Sequence, residues 1–314
     1  MYLNKKISVV IPAYNEQYLI KITINSLPDY LDKIYIIDDG SDDNTFNVVK
    51  DAANKRDTIM LLRHEENLGV GAAIISGYKK SLEDDNDITV VMGGDNQMDP
   101  KYILDLIEPI IKGIADYTKG NRLVKGYTKG MSKWRFFGNS LLTLLTKISS
   151  GYWDIMDPQN GYTAISNKVL NIIDLDSIYP KYGYCNDLLV KLNAYNFRIL
   201  DVSIPARYGN EKSKIKYNSY IFKVSWLLLK NFFWRIKTKY ILISFNPIAL
   251  LYLLGLILTP LSIILGVSSM YYKIVTQEET FLRGLLPFLI FMIGIQFLLF
   301  AILFDIQMNS NKNK

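Results

Sequence analysis

Three clusters of polar residues each follow a short apolar run in the first hundred residues. They occupy positions 12–16, 38–45 and 94–97. Helix capping alone would account for Asn15, Asn44 and Pro100, since these residue types are common at helix starts. Capping does not require Asp38 and Asp39 together, because adjacent carboxylates repel each other unless a ribose or a cation uses them. The clusters are therefore candidates for nucleotide and cation binding.

Strands and helices alternate around these clusters. The expected strands are 7–11, 33–38, 58–63 and 88–92, and the expected helices are 16–26, 44–54, 70–82 and 100–111. This alternation predicts a mostly parallel sheet with right-handed crossovers. Ligands of such sheets bind at the carboxyl ends of the strands, so we expect the three clusters to meet at one edge.

Several common kinds of site are excluded by the sequence. The first strand leads into Pro-Ala-Tyr-Asn-Glu and not into a glycine-rich turn, and no glycine-rich lysine loop follows any strand. His64 is the sole histidine, which favours a solvated loop position over a metal ligand. Cys185 is the sole cysteine, so an intrachain disulfide is excluded and a buried structural thiol is expected.

The C-terminal part of the chain has the composition of a membrane anchor. No charged residue occurs between Lys239 and Lys273, nor between Arg283 and Asp305. Each run reaches the roughly 20 residues that cross the hydrocarbon, which predicts spans at about 247–272 and 284–304. Lysines before the first span and after the second place both ends in the cytoplasm under the positive-inside rule.

A basic stretch precedes the first predicted span. Between positions 207 and 239, nine lysines and arginines and one glutamate are interleaved with aromatic residues and leucines. This composition predicts an amphipathic interfacial segment, and it accounts for the net charge of +6 without nucleic acid. The expected domains are a catalytic domain at 1–208, the interfacial segment at 209–240 and the anchor at 241–314. No apolar run of signal-peptide length precedes the catalytic domain, which is expected in the cytosol.

Four motifs in succession resemble glycosyltransferase family 2. They are residues 12–16, 38–45, 67–73 with Gly77, and 94–100. Within this family, the chain looks most like the branch of dolichyl-phosphate mannose synthases and bacterial polyprenyl-phosphate glucosyltransferases. The segments that support this are 120–122, 157–162 and 207–214. The resemblance covers about residues 5–240. It implies an α/β GT-A fold and inverting transfer of a hexose from a UDP- or GDP-sugar to a polyprenyl phosphate at the cytoplasmic membrane face.

The resemblance also implies roles for individual residues. The expected substrate-binding residues are Pro12, Tyr14, Glu16, Asp38, Asp39, Arg135, Arg207, Lys212 and Lys214, and the expected catalytic set is Asp95, Arg122 and Asp157. Asp95 and Gln97 would bind Mg²⁺ or Mn²⁺ at the donor diphosphate. One departure is Gly93, where the family usually has the first aspartate of an Asp-x-Asp pair. A ribose contact of that missing carboxylate would then fall to Asp38 or Asp39.

The cationic residues are expected to bind phosphates. The resemblance places Arg122 near the donor diphosphate, and Arg207 and Lys214 near the acceptor phosphate. For Arg135, acceptor binding and interfacial snorkelling both stay open. A phosphate monoester has a second pKa of about 6, so the acceptor is already nucleophilic near neutral pH. Asp157 is therefore expected to position the acceptor or an arginine, and not to act as a base.

Other functions stay open at this point. A processive polysaccharide synthase would carry a Gln-x-x-Arg-Trp motif and more spans, and the sequence has neither. A catalytically impaired homologue acting as a membrane scaffold is suggested by Gly93, but the retained Asp95 and Gln97 argue against it. Another lipid or a polysaccharide as acceptor, and a homo-oligomeric state, are also compatible with the sequence. Asp187 is expected to matter less than Asp95, since it also suits a helix start.

Overall fold

The computed structural model describes residues 1–123, 133–205, 217–277 and 281–310. These residues form two compact units that divide between Phe232 and Phe233. The first unit is an α/β domain, and the second, here called the anchor unit, contains two long apolar helices. The expected α/β domain followed by two helices of membrane-spanning length is therefore confirmed.

The first unit is built on a mixed sheet of seven strands within the described residues. The strands are β1 (Ile7–Ala13), β2 (Lys33–Asp38), β3 (Ile59–Arg63), β4 (Ile88–Val91), β5 (Tyr117–Asn121), β6 (Thr163–Ser166) and β7 (Ile199–Ser203). Their spatial order is β3-β2-β1-β4-β6-β5-β7. Strands β1 to β4 are parallel, β6 is antiparallel to both of its neighbours, and β5 and β7 pair in parallel. The four strands expected from the sequence are β1 to β4.

Helices alternate with these strands along the chain. They are α1 (Ile20–Ser26), α2 (Thr45–Ala53), α3 (Val70–Glu83), α4 (Ile103–Ile111), α5 (Lys133–Ser150), α6 (Asn167–Ile172), α7 (Tyr184–Ala194) and α8 (Tyr217–Arg235). Helix α1 begins at Ile20 and not at the expected position 16. The reason is that the backbone N–H groups of Asn15 and Glu16 donate to the hydroxyls of Ser41, at 3.0 Å, and Thr45, at 2.8 Å. These side-chain contacts hold the segment as a loop between two of the polar clusters.

Alternate residues of β1 face two separate hydrophobic cores. Val9 and Ile11 pack into one core, and Val10 packs into the other, all three without solvent exposure. A strand covered on both faces is mostly apolar, as is usual for parallel sheets, and Ser8 is the buried polar exception in β1. A Cβ atom at Gly77 of α3 would lie 2.3 Å from a methyl carbon of Val10, so α3 packs directly on β1.

Helix α8 has one packed face and one exposed face. Val224 and Leu228 are buried against Leu142 of α5 and Val190 of α7. On the other face, three apolar residues at helical spacing are 76%, 55% and 47% exposed. They are Phe222, Trp226 and Leu229, and we call them the exposed α8 stripe. This distribution supports the expected amphipathic character of the segment.

The anchor unit contains a π-helical segment (Ile236–Ile243) followed by α9 (Ile248–Thr276) and α10 (Phe281–Ser310). By length and composition, both long helices can cross a membrane. They approach closely at two glycines. A Cβ atom at Gly255 would lie 2.6 Å from the Leu298 side chain, and one at Gly294 would lie 2.8 Å from the Thr259 hydroxyl. The glycines therefore allow the two helices to pack tightly.

A buried ion pair lies within the anchor unit. The guanidinium of Arg235 donates two hydrogen bonds to the Asp305 carboxylate, at 3.1 and 2.8 Å, and neither side chain is more than 1% exposed. The hydroxyl groups of Tyr240 and Tyr252 donate to the same carboxylate. Because the charges are paired and further hydrogen-bonded, the cost of burying them is offset.

Asp305→Ala is expected to destabilise the anchor unit by about 3–5 kcal/mol, because Arg235 would then be buried without its carboxylate partner. Equilibrium unfolding of the purified protein in mixed detergent micelles measures the difference. As a control, Arg235→Met combined with Asp305→Leu removes both charges and is expected to recover part of the loss. Wild-type stability in Asp305→Ala would show that the ion pair does not hold the unit together.

Candidate active site

A cleft of about 470 Å³ opens at the carboxyl ends of β1, β2 and β4. This volume lies in the range of small-molecule sites. All three polar clusters contribute to its lining, as the parallel strand order predicts. The expected site residues that line it are Pro12, Tyr14, Glu16, Asp39 and Asp95. The later part of the chain adds Gln159, Gly161, Tyr182, Tyr184 and Cys185.

Asp39 is held rigidly at the wall of the cleft. Its carboxylate accepts backbone N–H groups of Leu68, at 3.0 Å, and Gly69, at 2.9 Å, and contacts His64 Nδ1 at 2.7 Å. The other nitrogen of His64 contacts the Ser76 hydroxyl at 3.0 Å. The expectation of a solvated His64 is wrong, since its side chain is 13% exposed and bridges two partners. The sequence offered no signal for this contact because 25 residues separate the aspartate from the histidine.

Asp38 has a different environment from Asp39. Its carboxylate accepts the backbone N–H of Ser41 at 3.2 Å and lies 3.3 Å from Nε of Arg63. The side chain is fully buried and does not line the cleft. The two adjacent carboxylates therefore avoid repulsion by having separate partners, and no ribose or cation is needed at Asp38. The sequence predicted that Asp38 contacts a substrate, but in this structure its side chain has no surface that a substrate could reach.

Asp95 lies just beyond β4 and contributes to the lining of the cleft. Its Oδ1 atom accepts the backbone N–H of Gln97 at 3.1 Å, across a turn in which Asn96 has a φ of +57°. Burial raises the pKa of the Asp95 carboxyl. Gly93 lies close beneath it, since a Cβ atom at that position would be 3.0 Å from Asp95 Oδ1. The missing side chain at Gly93 therefore leaves room for the Asp95 carboxylate.

The donor set at this place fits a divalent cation that also binds the substrate. Asp95 is a half-buried carboxylate whose pKa is raised by desolvation, and a nearby positive charge would stabilise its ionised form. Gln97 supplies an exposed amide two residues away. Within the described ranges, no group of three or more His, Cys, Asp or Glu side chains could hold a metal. Asp95 and Gln97 could thus hold Mg²⁺ or Mn²⁺ only with further oxygens from a diphosphate or water.

Arg122 and Asp157 form a bidentate ion pair. The distances are 2.7 Å from Nε to Oδ2 and 2.9 Å from Nη2 to Oδ1, and the backbone N–H of Arg122 also donates to Oδ2. Asp157 is 4% exposed, whereas the Arg122 side chain is 42% exposed. Neither residue lines the cleft. The contact is the one expected if Asp157 positions an arginine, and the catalytic role of the pair stays a prediction.

Asp187 and Cys185 have buried environments. The Asp187 carboxylate accepts the backbone N–H of Tyr179 at 2.8 Å, the ammonium of Lys191 at 2.9 Å and the amide of Asn231 at 2.6 Å. These contacts tie α7 to its surroundings, which agrees with a structural role. Cys185 borders the cleft, and burial raises the pKa of its thiol to about 11. The thiol is therefore protonated at neutral pH, as expected for a structural cysteine.

Four expected phosphate-binding residues fall outside what the structure describes. Arg207, Lys212 and Lys214 belong to the stretch 206–216, which lies outside the described residues. Arg135 belongs to α5, but its side chain lies outside the described set. Their expected contacts with the acceptor phosphate remain predictions.

The first unit resembles a solved glycosyltransferase. The similarity is to glucosyl-3-phosphoglycerate synthase from Mycobacterium tuberculosis in complex with Mn²⁺, UDP and glucosyl-3-phosphoglycerate. The TM-score is 0.56 at 20% sequence identity, over 73% of this chain and 80% of that one. The fold and the cleft together define a GT-A-type domain, as the sequence predicted.

Residues 8–171 match the family model described as glycosyl transferase family 2. The chain belongs to this family of glycosyltransferases. One relative is a UDP-N-acetylglucosamine–dolichyl-phosphate N-acetylglucosaminyltransferase from Methanococcus voltae, 32% identical over 65% of this chain and 87% of that protein. Another is an undecaprenyl-phosphate mannosyltransferase from Micrococcus luteus, 28% identical over 63% of this chain and 82% of that protein.

Proposed function

We propose that this glycosyltransferase moves a hexose, with inversion, from a UDP- or GDP-sugar to a polyprenyl phosphate at the cytoplasmic face of the membrane. The observation that carries the proposal is the cleft containing Asp39 and Asp95, in a chain that continues into two helices of membrane-spanning length. The two relatives described above are named for transfer to dolichyl and undecaprenyl phosphate, which supports a polyprenyl phosphate acceptor.

The donor nucleotide is proposed to bind at the carboxyl edge of β1 and β2. Pro12, Tyr14 and Glu16 would line its pocket, and the rigid carboxylate of Asp39 would accept a hydrogen bond from the base or ribose. A divalent cation held near Asp95 would neutralise the charge that develops on the leaving nucleoside diphosphate. The Mn²⁺ and UDP in the similar mycobacterial enzyme are consistent with such a site.

The transfer step needs little help from a base. Near neutral pH the acceptor phosphate is largely dianionic, so one of its oxygens can attack the anomeric carbon directly. The bond from that carbon to the donor diphosphate breaks, and a nucleoside diphosphate and a β-linked polyprenyl-phosphate sugar result. The pairing of Asp157 with Arg122 supports this mechanism, because both carboxylate oxygens already accept hydrogen bonds from the guanidinium.

A membrane-bound acceptor explains why the chain carries an anchor. The exposed α8 stripe offers aromatic and aliphatic side chains, and Lys223 and Lys230 lie on the same helix. Such a surface suits the boundary between lipid head groups and acyl chains. We propose that α8 lies at the cytoplasmic surface and that α9 and α10 cross the membrane, with both termini in the cytoplasm.

The decisive experiment uses the purified full-length protein with polyprenyl phosphate in detergent or vesicles. A panel of radiolabelled UDP- and GDP-sugars is offered with Mg²⁺ or Mn²⁺, and the lipid fraction is analysed. Labelled polyprenyl-phosphate sugar from at least one donor is expected. Label transferred only to another lipid or to a polysaccharide would change the assigned acceptor. A protein that binds donor without any transfer would support the scaffold hypothesis.

Arg207→Ala is expected to weaken use of the lipid acceptor while leaving donor affinity unchanged. The reason is that a guanidinium near the acceptor phosphate would contribute a charge-assisted bond to that substrate alone. We expect the apparent KM for polyprenyl phosphate to rise about tenfold or more, which initial rates at varied acceptor concentration measure. If donor affinity fell and the acceptor KM did not change, Arg207 would belong to the nucleotide side.

A further inference from the structure

His64 connects two elements at the wall of the cleft. It follows β3 directly, and its backbone N–H donates to the carbonyl oxygen of Asp38 at 2.9 Å. Its side chain contacts the Asp39 carboxylate through Nδ1 at 2.7 Å and the Ser76 hydroxyl of α3 through Nε2 at 3.0 Å. Only 13% of the side chain is exposed, so the imidazole is held between the end of β2 and helix α3.

These two contacts fix the tautomer of the imidazole. An ionised carboxylate can only accept hydrogen bonds, so the proton between His64 and Asp39 belongs to Nδ1. In the neutral imidazole Nε2 is then an acceptor, and the Ser76 hydroxyl donates to it. Donation therefore runs from Ser76 through His64 to Asp39, which gives the imidazole a single orientation.

The protein already uses most of the acceptor positions of the Asp39 carboxylate. Its oxygens also accept the backbone N–H groups of Leu68, at 3.0 Å, and Gly69, at 2.9 Å. An ionised carboxylate has about four acceptor positions, and His64, Leu68 and Gly69 occupy three of them. Asp39 lines the cleft and is 3% exposed, so a ligand in the cleft can meet one remaining position.

We propose that His64 is a positioning residue for the nucleotide, which orients the Asp39 carboxylate so that its remaining acceptor position meets a donor group of the base or ribose. Leu68 and Gly69 hold this carboxylate from the start of α3, and His64 holds it from β3. A hydrogen bond to an ionised acceptor is one of the stronger contacts, so its loss leaves the carboxylate less fixed. The proposal rests on the proposed binding of the donor nucleotide at Asp39 and is independent of the lipid acceptor.

The test measures binding of UDP and GDP to the purified full-length protein by calorimetry in the presence of Mg²⁺. His64→Ala removes the imidazole, whereas His64→Asn supplies an amide that can place an N–H group where Nδ1 lies. For the nucleotide that the wild type binds more tightly, His64→Ala is expected to lower affinity about tenfold, and His64→Asn to keep it within about threefold. Ser76→Ala leaves the Nδ1 contact in place and is expected to cause a smaller loss than His64→Ala.

Tyr35→Phe is the matched control. The Tyr35 hydroxyl of β2 donates to the carboxylate of Asp84, directly after α3, at 2.8 Å. This contact also links β2 with α3, but neither residue lines the cleft. Tyr35→Phe is therefore expected to lower the temperature of thermal unfolding without changing nucleotide affinity.

A double-variant cycle separates positioning through Asp39 from general destabilisation. If His64 acts through Asp39, His64→Ala should cause little further loss of affinity once Asp39→Asn has weakened binding. A similar loss in both backgrounds, or no loss in His64→Ala alone, would overturn the proposal. Equal losses in His64→Ala and His64→Asn would also overturn it, because the N–H group at Nδ1 would then not matter.

The same measurements distinguish this inference from the proposed function. If the wild type binds a nucleotide but transfers nothing to polyprenyl phosphate, the proposed function fails and the result for His64 still stands. If it binds neither UDP nor GDP, the proposed nucleotide site and the role of His64 are both wrong.

Discussion

Replacing Asp95 with asparagine is expected to lower sugar transfer by at least about a hundredfold. The carboxylate lies in the cleft next to Gln97, where a cation would stabilise the leaving diphosphate, and removing its charge costs about 3 kcal/mol of transition-state stabilisation. Asparagine preserves the shape and the acceptor for the Gln97 N–H group. The variant is therefore expected to lose kcat/KM but to fold normally. Initial rates measure kcat/KM, and circular dichroism checks the fold.

The matched control for Asp95→Asn is Asp51→Asn, which changes an exposed aspartate on α2 and is expected to leave transfer unchanged. Chelation of divalent cations by EDTA is expected to abolish transfer in the wild type, and added Mg²⁺ or Mn²⁺ to restore it. Full activity in EDTA, or in Asp95→Asn, would remove the cation site from the mechanism.

The second large effect is expected at the ion pair between Arg122 and Asp157. Arg122→Ala and Asp157→Asn should each reduce kcat/KM by about ten- to a hundredfold, because either change releases the turn and leaves one charged group without its partner. Since both changes break the same contact, the double variant should lose little more than either single variant. Transfer rates of the wild type, the two single variants and the double variant give the coupling free energy between Arg122 and Asp157.

The pH profile distinguishes positioning by Asp157 from general-base catalysis. Because the acceptor phosphate carries its own nucleophilic oxygen, Asp157→Asn is expected to keep the wild-type pH dependence at a lower rate. Asp187→Asn, a buried aspartate outside the cleft lining, serves as a control for loss of a structural carboxylate. A loss in Asp157→Asn as complete as that in Asp95→Asn, with rescue at higher pH or by formate, would require a base after all.

The sequence determined the four parallel strands β1 to β4 and the edge at which the cleft lies. Runs of β-branched residues such as those of β1 and β2 favour buried strands, and parallel strands bring their carboxyl ends together. Asp39 and Asp95 therefore line one cleft although more than fifty residues separate them. The two apolar runs likewise predict α9 and α10, because a segment of that length placed in hydrocarbon would have to satisfy its own backbone, as a helix does.

Contacts between distant side chains were decided only by the tertiary structure. Asp38 and Asp39 are adjacent and alike in sequence, yet one is buried against Arg63 and the other lines the cleft with His64 behind it. Side chains of successive strand residues point to opposite sides, so the outcome depends on which neighbours the packed sheet supplies on each side. No local pattern encodes those neighbours.

The same holds for the ion pair of Arg122 with Asp157 and for the ion pair in the anchor unit. Arg122 and Asp157 belong to motifs that the sequence did identify, but they are 35 residues apart and their bidentate contact forms only in the folded domain. Arg235 and Asp305 are 70 residues apart, and each by itself suits the end of a helix at a membrane surface. Their pairing depends on how the end of α8 packs against α10, because a charge is buried only where folding brings its partner within hydrogen-bond distance.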